Sequence, residues 1–402
     1  MEKLTDTNKT LLDLLANTLF GAKIPVTIRS PGALWTEANL QAVFLLALRD
    51  AHPDDFPPEL LHEIRCGVKQ FLTGNVRLAN AHAYISTLLE KADIPHVLIK
   101  GHASAIWYPE PDLRQLGDVD FYVAPQDVER TEALLAREGF TPEKTSHRFH
   151  HVFTKDGCRY ELHYGIPGMP EGETGKLCKA YFADMIERSA VRHTPFGEMR
   201  LPSAFHHGLI LLLHTAHHLT NSGVGLRHLC DWVVFADTLP ENDFVNMFQN
   251  CLQELGLWRF ACCLTDLGVR YMGAQPKTWA ADADEPLGDA LLADFFAGGN
   301  FGQKNVVRSR QAYLITSGRK RNSKLLRLFS VLLDMIYQKW PIAKKIKILV
   351  PFGWAYFTLR YLFRRLAGKR PKLYVRKAVR GAEERTQLYD RLRLFQNERN
   401  QK

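Results

Sequence analysis

The sequence contains no Cys-x-x-Cys pair, and its seven cysteines (Cys66, Cys158, Cys178, Cys230, Cys251, Cys262 and Cys263) are odd in number and scattered. That pattern speaks against a disulfide framework or a cysteine zinc site, and for reduced thiols in a cytoplasmic setting. Long apolar runs are also missing: no stretch reaches the roughly 18 residues of a membrane-spanning helix. The N-terminal "MEKLTDTNKTLLDLLANTLF" has acids near its start and helically spaced leucines, rather than the basic start and apolar core of a signal peptide. Internal repeats and low-complexity segments are absent. Acid is scarce at the C-terminal end, where residues 301–402 hold 26 Lys and Arg against 5 Asp and Glu. That quarter carries a balance of +21 and residues 1–300 carry −12. Such a basic region is expected to face an anionic partner, a membrane surface or a nucleic acid; solvated helix faces are the plain alternative.

At 402 residues the chain can build two or three domains. Residues 1–78 read as helices, with "TEANLQAVFLLAL" and "PPELLHEIRCGVKQFL" apolar at three- and four-residue spacing. Helical character continues to residue 92, and then the period changes. "IPHVLIK" (94–100) suits a buried strand, Gly101 follows it, and "HASAIWY" opens a helix. "PEPDLRQLG" is turn chemistry, "DVDFYV" (118–123) a second strand, and "APQDVERTEALLAREGF" a helix closed by Gly139. "RFHHVFTKDGCRYELHYGI" (148–166) reads as a hairpin turning at Lys155-Asp156-Gly157. From about residue 177 the pattern is helical again, and "SRQAYLITSGRKRNSK" looks like an exposed linker. These shifts predict four regions: 1–78, 79–170, 171–300 and 301–402.

The stretch "RQLGDVDFYV" holds the first chemical signal. A strand alternates its side chains, so Asp118 and Asp120 share a face. Two adjacent carboxylates repel each other unless a cation sits between them, and a divalent metal is the usual one. Glu161, in "CRYELHYGI", brings a third acid to the same sheet face if its strand pairs beside Asp118 and Asp120. Three carboxylates can hold two oxygen-seeking cations about 4 Å apart, a geometry that serves phosphoryl transfer. The first strand ends in Lys100, Gly101 and His102, where a helix N-terminus and a lysine could meet phosphates. Arg114, four residues before Asp118, could add a bidentate phosphate contact.

"LIKGHASAIWYPEPDLRQLGDVDFYV" followed by "YELHYGI" resembles the DNA polymerase β-like nucleotidyltransferase superfamily. More narrowly it is similar to an uncharacterised bacterial nucleotidyltransferase family, whose helical region "LLLHTAHHLTNSGVGLRHLCDW" also resembles. The similarity covers roughly residues 79–240. It implies an α+β fold, with a small mixed-sheet nucleotidyltransferase core flanked by N-terminal helices and a larger C-terminal helical region. It implies Asp118 and Asp120 as ligands of Mg²⁺ or Mn²⁺, and Glu161 as the third carboxylate, orienting the acceptor hydroxyl or accepting its proton. The chain departs from the wider superfamily at Gly101-His102, where Gly-Ser is usual, and in the long gap from Gly101 to Asp118.

Other residues admit more than one reading. His163 shares a face with Glu161 and is a nucleotide-contact candidate or a satisfied strand histidine. His214 and His218 share a helix face with His207. That spacing can bind zinc, can contact nucleotide or acceptor, or can simply pack, and the Glu of His-Glu-x-x-His is missing. Arg227 and Asp231, four apart, could pair with each other. The expected partners are an NTP, an acceptor the sequence does not identify and, through residues 301–402, an anionic membrane surface. Nucleic acid is the less favoured partner. "ILVPFGWAYFTL" (348–359) is too short to span a bilayer, and Pro351 and Gly353 predict a bent, shallow insertion. Three functions remain open: an enzyme moving an NMP from an NTP to a hydroxyl or phosphate, a non-catalytic relative, and an RNA-modifying enzyme.

Overall fold

Alternation along residues 118–123 sends Val119, Phe121 and Val123 to one side and the two aspartates to the other, and a sheet is built on that division. The computed structural model describes residues 4–143, 149–304, 342–366 and 375–398, together with 333, 336, 337 and 340. Helices α1 (Asp6–Phe20), α2 (Pro31–Leu40) and α3 (Phe44–Leu48) lead into the long α4 (Pro58–Lys91). A five-stranded sheet follows: β1 (His96–Leu98), β2 (Val119–Val123), β3 (Thr141–Pro142), β4 (His150–Lys155) and β5 (Cys158–His163). The one-turn α5 (His102–Ala105) follows β1, and α6 (Val128–Arg137) follows β2. The strand order is β1-β2-β5-β4-β3. β2 and β5 run parallel while the other pairs are antiparallel, so the sheet is mixed and the fold is α+β.

The β4–β5 hairpin forms where Asp-Gly predicts it. Lys155 pairs with Cys158, and Asp156 (φ 50°) and Gly157 (φ 69°) both take positive φ, as a two-residue type I′ turn requires. One sheet face packs Val119, Phe121, Val123, Tyr160 and Leu162 with Ile85 and Leu89 of α4. A second hairpin, β6 (Ala190–Thr194) and β7 (Gly197–Leu201), falls in a stretch expected to be helical. β6 is exposed almost throughout and shows no apolar alternation; only Met199 and Leu201 of β7 turn inward, into the sheet's core.

The helical part comprises α7 (Gly172–Tyr181), α8 (Ala204–Thr220), α9 (Leu226–Thr238), α10 (Glu241–Leu255), α11 (Trp258–Met272) and α12 (Glu285–Gly298). Its core includes Trp232, Phe244 and Phe260, but also Leu11 and Phe44 from the N-terminal helices. The boundary expected at residue 78 therefore falls inside the single helix α4, and residues before it share a core with residues beyond 200.

Of the basic quarter, α13 (Val350–Leu366) and α14 (Val375–Leu392) are described. α14 returns to the main core through Tyr389 and Leu392. The bend expected at Pro351 and Gly353 does not occur. Pro351 lies in the first turn of α13, where its missing N–H has no helical partner to lose, and the helix runs on through Gly353, which packs closely on Ile336. The linker expected around residues 309–324 lies outside the described residues. No helix among the described residues is long and apolar enough to cross a membrane. All seven cysteines are free thiols.

Candidate active site

The parallel pairing of β2 with β5 sets Asp120 directly across from Glu161 and Tyr122 across from His163. Period two then gathers Asp118, Asp120, Arg159, Glu161 and His163 on the face opposite the apolar core. Convergence of the three carboxylates is visible in the partners they share. Arg159 Nη1 lies 3.2 Å from Asp118 Oδ2 and 2.9 Å from Glu161 Oε1. His163 Nε2 lies 2.8 Å from Asp120 Oδ1 and 3.4 Å from Glu161 Oε2. Lys100, just beyond β1, places Nζ 2.5 Å from Asp120 Oδ1.

Burial sets the charge states. Desolvation, with the charges of Asp120 and Glu161 added, pushes the half-exposed Asp118 carboxyl up to about 6. Asp120 is also penalised by burial, yet Lys100 and His163 hold it well below the usual carboxylate range. For Glu161 burial again works upward, and only the hydrogen bond from His163 together with the attraction of Lys100 and His163 outweighs it, so its value falls. Lys100 loses solvent, but the attraction of Asp120 raises its pKa and keeps it charged. The result is a set of three ionisable acids held together by two cations and an imidazole. An oxygen-rich donor set of this kind suits Mg²⁺ or Mn²⁺. Room for an ion requires Arg159 to move; its side chain is 41% exposed and anchored only at its head.

Gly101 allows the turn that positions Lys100. Its φ of 60° and ψ of −110° fall where side chains are rarely tolerated, and a Cβ there would lie 2.4 Å from His82 Nε2. The helix it opens, α5, is four residues long, so few amides are presented to a phosphate. His102 turns to His82 and Phe196, and burial lowers its pKa to about 4. It is not gathered with the carboxylates.

Arg114 corrects the sequence reading. Its Nε and Nη2 bind both oxygens of Asp231 at 2.9 and 2.7 Å, and Nη1 donates to the Gln115 carbonyl. The guanidinium is buried and its Nε–Nη2 edge is taken by Asp231, so the expected bidentate phosphate contact gives way to a structural ion pair. The Arg227–Asp231 pairing is replaced by the same bond. Arg227 instead lies over the Phe301 ring.

His214 and His218 touch, Nε2 to Nε2, at 2.9 Å. His207, expected on the same face, packs instead against Trp107 and Phe235, which also touch each other. His228 of α9 takes its place, with ring nitrogens in the same cluster. Sequence reasoning passed over Arg159, His228 and Asn75. Arg159 was legible by its two-residue spacing from Glu161. His228 lies on a different helix from His214, and no spacing rule connects them. Asn75 fixes the loop into β2 by donating to the Asp112 and Arg114 carbonyls and accepting from the Leu116 amide.

A family model described as uncharacterised nucleotidyltransferase matches residues 33–273. A solved structure of an antigenic nucleotidyltransferase-like protein from Paracoccidioides brasiliensis is 14% identical, covering 51% of this chain and 96% of its own, with a TM-score of 0.31. No curated protein matches the chain in sequence.

Proposed function

The chain belongs to the uncharacterised nucleotidyltransferase family, and on that premise we propose that it transfers a nucleoside monophosphate from an NTP to a hydroxyl or phosphate acceptor. The observation that carries this reading is the convergence of Asp118, Asp120 and Glu161 across the parallel β2–β5 pair. The acceptor oxygen bonds to the α-phosphorus, the bond from that phosphorus to the oxygen bridging to the β-phosphorus breaks, and pyrophosphate leaves with the electron pair. Asp118, Asp120 and Glu161 would hold Mg²⁺ or Mn²⁺, which supplies positive charge to acidify the acceptor hydroxyl and neutralise the leaving group. Glu161 orients that hydroxyl or takes its proton. Lys100 and the half-exposed Arg159 exchange their carboxylate partners for phosphate oxygens as the nucleotide arrives.

One observation favours a non-catalytic, nucleotide-binding relative: Lys100 and Arg159 already satisfy the carboxylates. Incubation with each labelled NTP, Mg²⁺ and cell extract separates the two readings. A labelled product that requires the protein supports transfer. Nucleotide binding with no product from any of the NTPs supports the relative. We place the protein in the cytoplasm and its basic quarter at the anionic inner face of a membrane, a reading supported by the charge division and by exposed aromatic residues on α13.

A further inference from the structure

We propose that His214, His218 and His228 form a transition-metal site of the Zn²⁺ class, separate from the carboxylate cluster. The residues come from two helices, α8 and α9, and their ligand atoms all lie within 4.8 Å of one another. Imidazole nitrogen is a borderline donor that suits Zn²⁺ or Co²⁺, whereas the oxygen set around Asp120 suits Mg²⁺.

Two further features point to a cation. His228 is 4% exposed, and neither of its ring nitrogens has a hydrogen-bond partner. Buried imidazole nitrogens left unpaired are costly, and a metal gives one of them a bond. His218 already has the outer support common to metal-bound histidines. Its Nδ1 lies 3.1 Å from Ser222 Oγ, and a proton donated there leaves the Nε2 lone pair directed at His214. Of the neighbouring cations, Lys100 is matched by Asp120, while Arg227 lies over Phe301 and keeps its charge, so the ion binds against that charge. Phe301 also sets its ring against His218 and His228 at 4.8 and 5.7 Å, covering part of the cluster. Three protein ligands leave a fourth position for water or an oxygen of a bound molecule.

Calorimetric titration of the metal-free full chain with Zn²⁺, and of a second sample with Co²⁺ read by visible absorption, tests the site. One equivalent should bind, and the cobalt form should show the intense visible bands of four-coordinate Co²⁺. His218→Gln, at a half-buried position, should weaken binding more than about 100-fold, since even an outer-shell partner of a ligand contributes up to that much. His228→Gln should do the same, with far-UV circular dichroism confirming the fold. Asp120→Asn should leave the cobalt spectrum intact. Failure of the folded wild-type chain to bind at micromolar metal overturns the proposal. So does a spectrum that survives His218→Gln but vanishes in Glu161→Gln, because the ion would then sit among the carboxylates and His163. The first outcome leaves nucleotidyl transfer untouched, since that is read from labelled product, and the second moves the ion to the carboxylates that the transfer reading uses.

Discussion

Arg114 and Asp231, 117 residues apart in sequence, form a buried two-pronged ion pair with Nε–Oδ1 and Nη2–Oδ2 distances of 2.9 and 2.7 Å. Tyr108 donates a third hydrogen bond to the same carboxylate at 2.7 Å. The pair ties the loop entering β2 to α9, and thereby the aspartate strand to the helical part. Burial raises the cost of charging Asp231, but Arg114 prevails and brings its pKa to about 2. Removing one partner strands the other charge in the interior. Arg114→Ala should therefore cost about 3–5 kcal/mol of stability in urea unfolding, and Asp231→Ala a similar amount. The double variant should cost clearly less than the sum. Additive losses would mean that the two side chains do not depend on each other.

Asp120→Asn should reduce nucleotidyl transfer at least about 100-fold, because a neutral amide removes a charge from the cation site. The fold should persist. Lys100 keeps the amide oxygen as a partner and has Asp118 and Glu161 as attracting charges. Full turnover by a folded Asp120→Asn protein would remove the carboxylates from the mechanism.

Gly101→Ala should destabilise the protein by about 1–3 kcal/mol through backbone strain alone, before any clash is counted. The new methyl would also meet His82 Nε2. Adding His82→Ala opens that space but leaves φ at 60°, so rescue should be partial. Complete rescue in thermal unfolding would show that crowding, not backbone conformation, selects glycine here.

Much of the site could be read from the sequence because it depends on local rules. Period two gave Asp118, Asp120, Glu161 and His163 one face, and Asp156-Gly157 fixed the hairpin that delivers Glu161. The parallel register of Asp120 with Glu161 then followed from tertiary packing alone. Arg114 misled because a basic residue beside an acidic motif looks the same whether it faces a phosphate or a partner 117 residues away. The β6–β7 hairpin escaped notice because its exposed strand carries no apolar alternation. The boundary at residue 78 marked a change in composition within one continuous helix, α4.

His207 makes stability sensitive to acid. It is buried against Trp107 and Phe235, neither ring nitrogen has a partner, and desolvation lowers its pKa from 6.5 to about 3. The unfolded chain takes up a proton below about pH 6.5 while the folded chain does not, so stability is full above that pH and falls toward pH 3. At pH 5 the loss from this residue should be about 2 kcal/mol, at 1.36 kcal/mol per unit. His207→Phe should flatten the fall in melting temperature between pH 6.5 and 5. An unchanged slope would assign acid sensitivity to other groups.

The basic quarter should hold the protein reversibly on anionic membranes. Ile348, just before α13, and Phe352, Tyr356, Leu359 and Phe363 on it follow one another at three- and four-residue spacing, and each is 47–79% exposed. Trp354 and Phe357, by contrast, pack on a small cluster with Ile336 and Val350. One side of the helix is thus committed to the protein, and an apolar stripe is left facing outward. Lys347 and Arg360 are exposed beside that stripe, and the same stretch of sequence also contains Lys344, Lys345, Arg364 and Arg365. An apolar face among basic residues matches the boundary between acyl chains and anionic headgroups, and each cation near such a surface contributes about 1 kcal/mol. In flotation assays the full chain should rise with vesicles containing anionic lipid, fail to rise with neutral ones, and be released by salt. Phe352→Asp with Phe363→Asp should abolish flotation while leaving the melting temperature unchanged, because both rings are exposed. Absence of the intact wild-type chain from anionic vesicles would show that the stripe serves another contact.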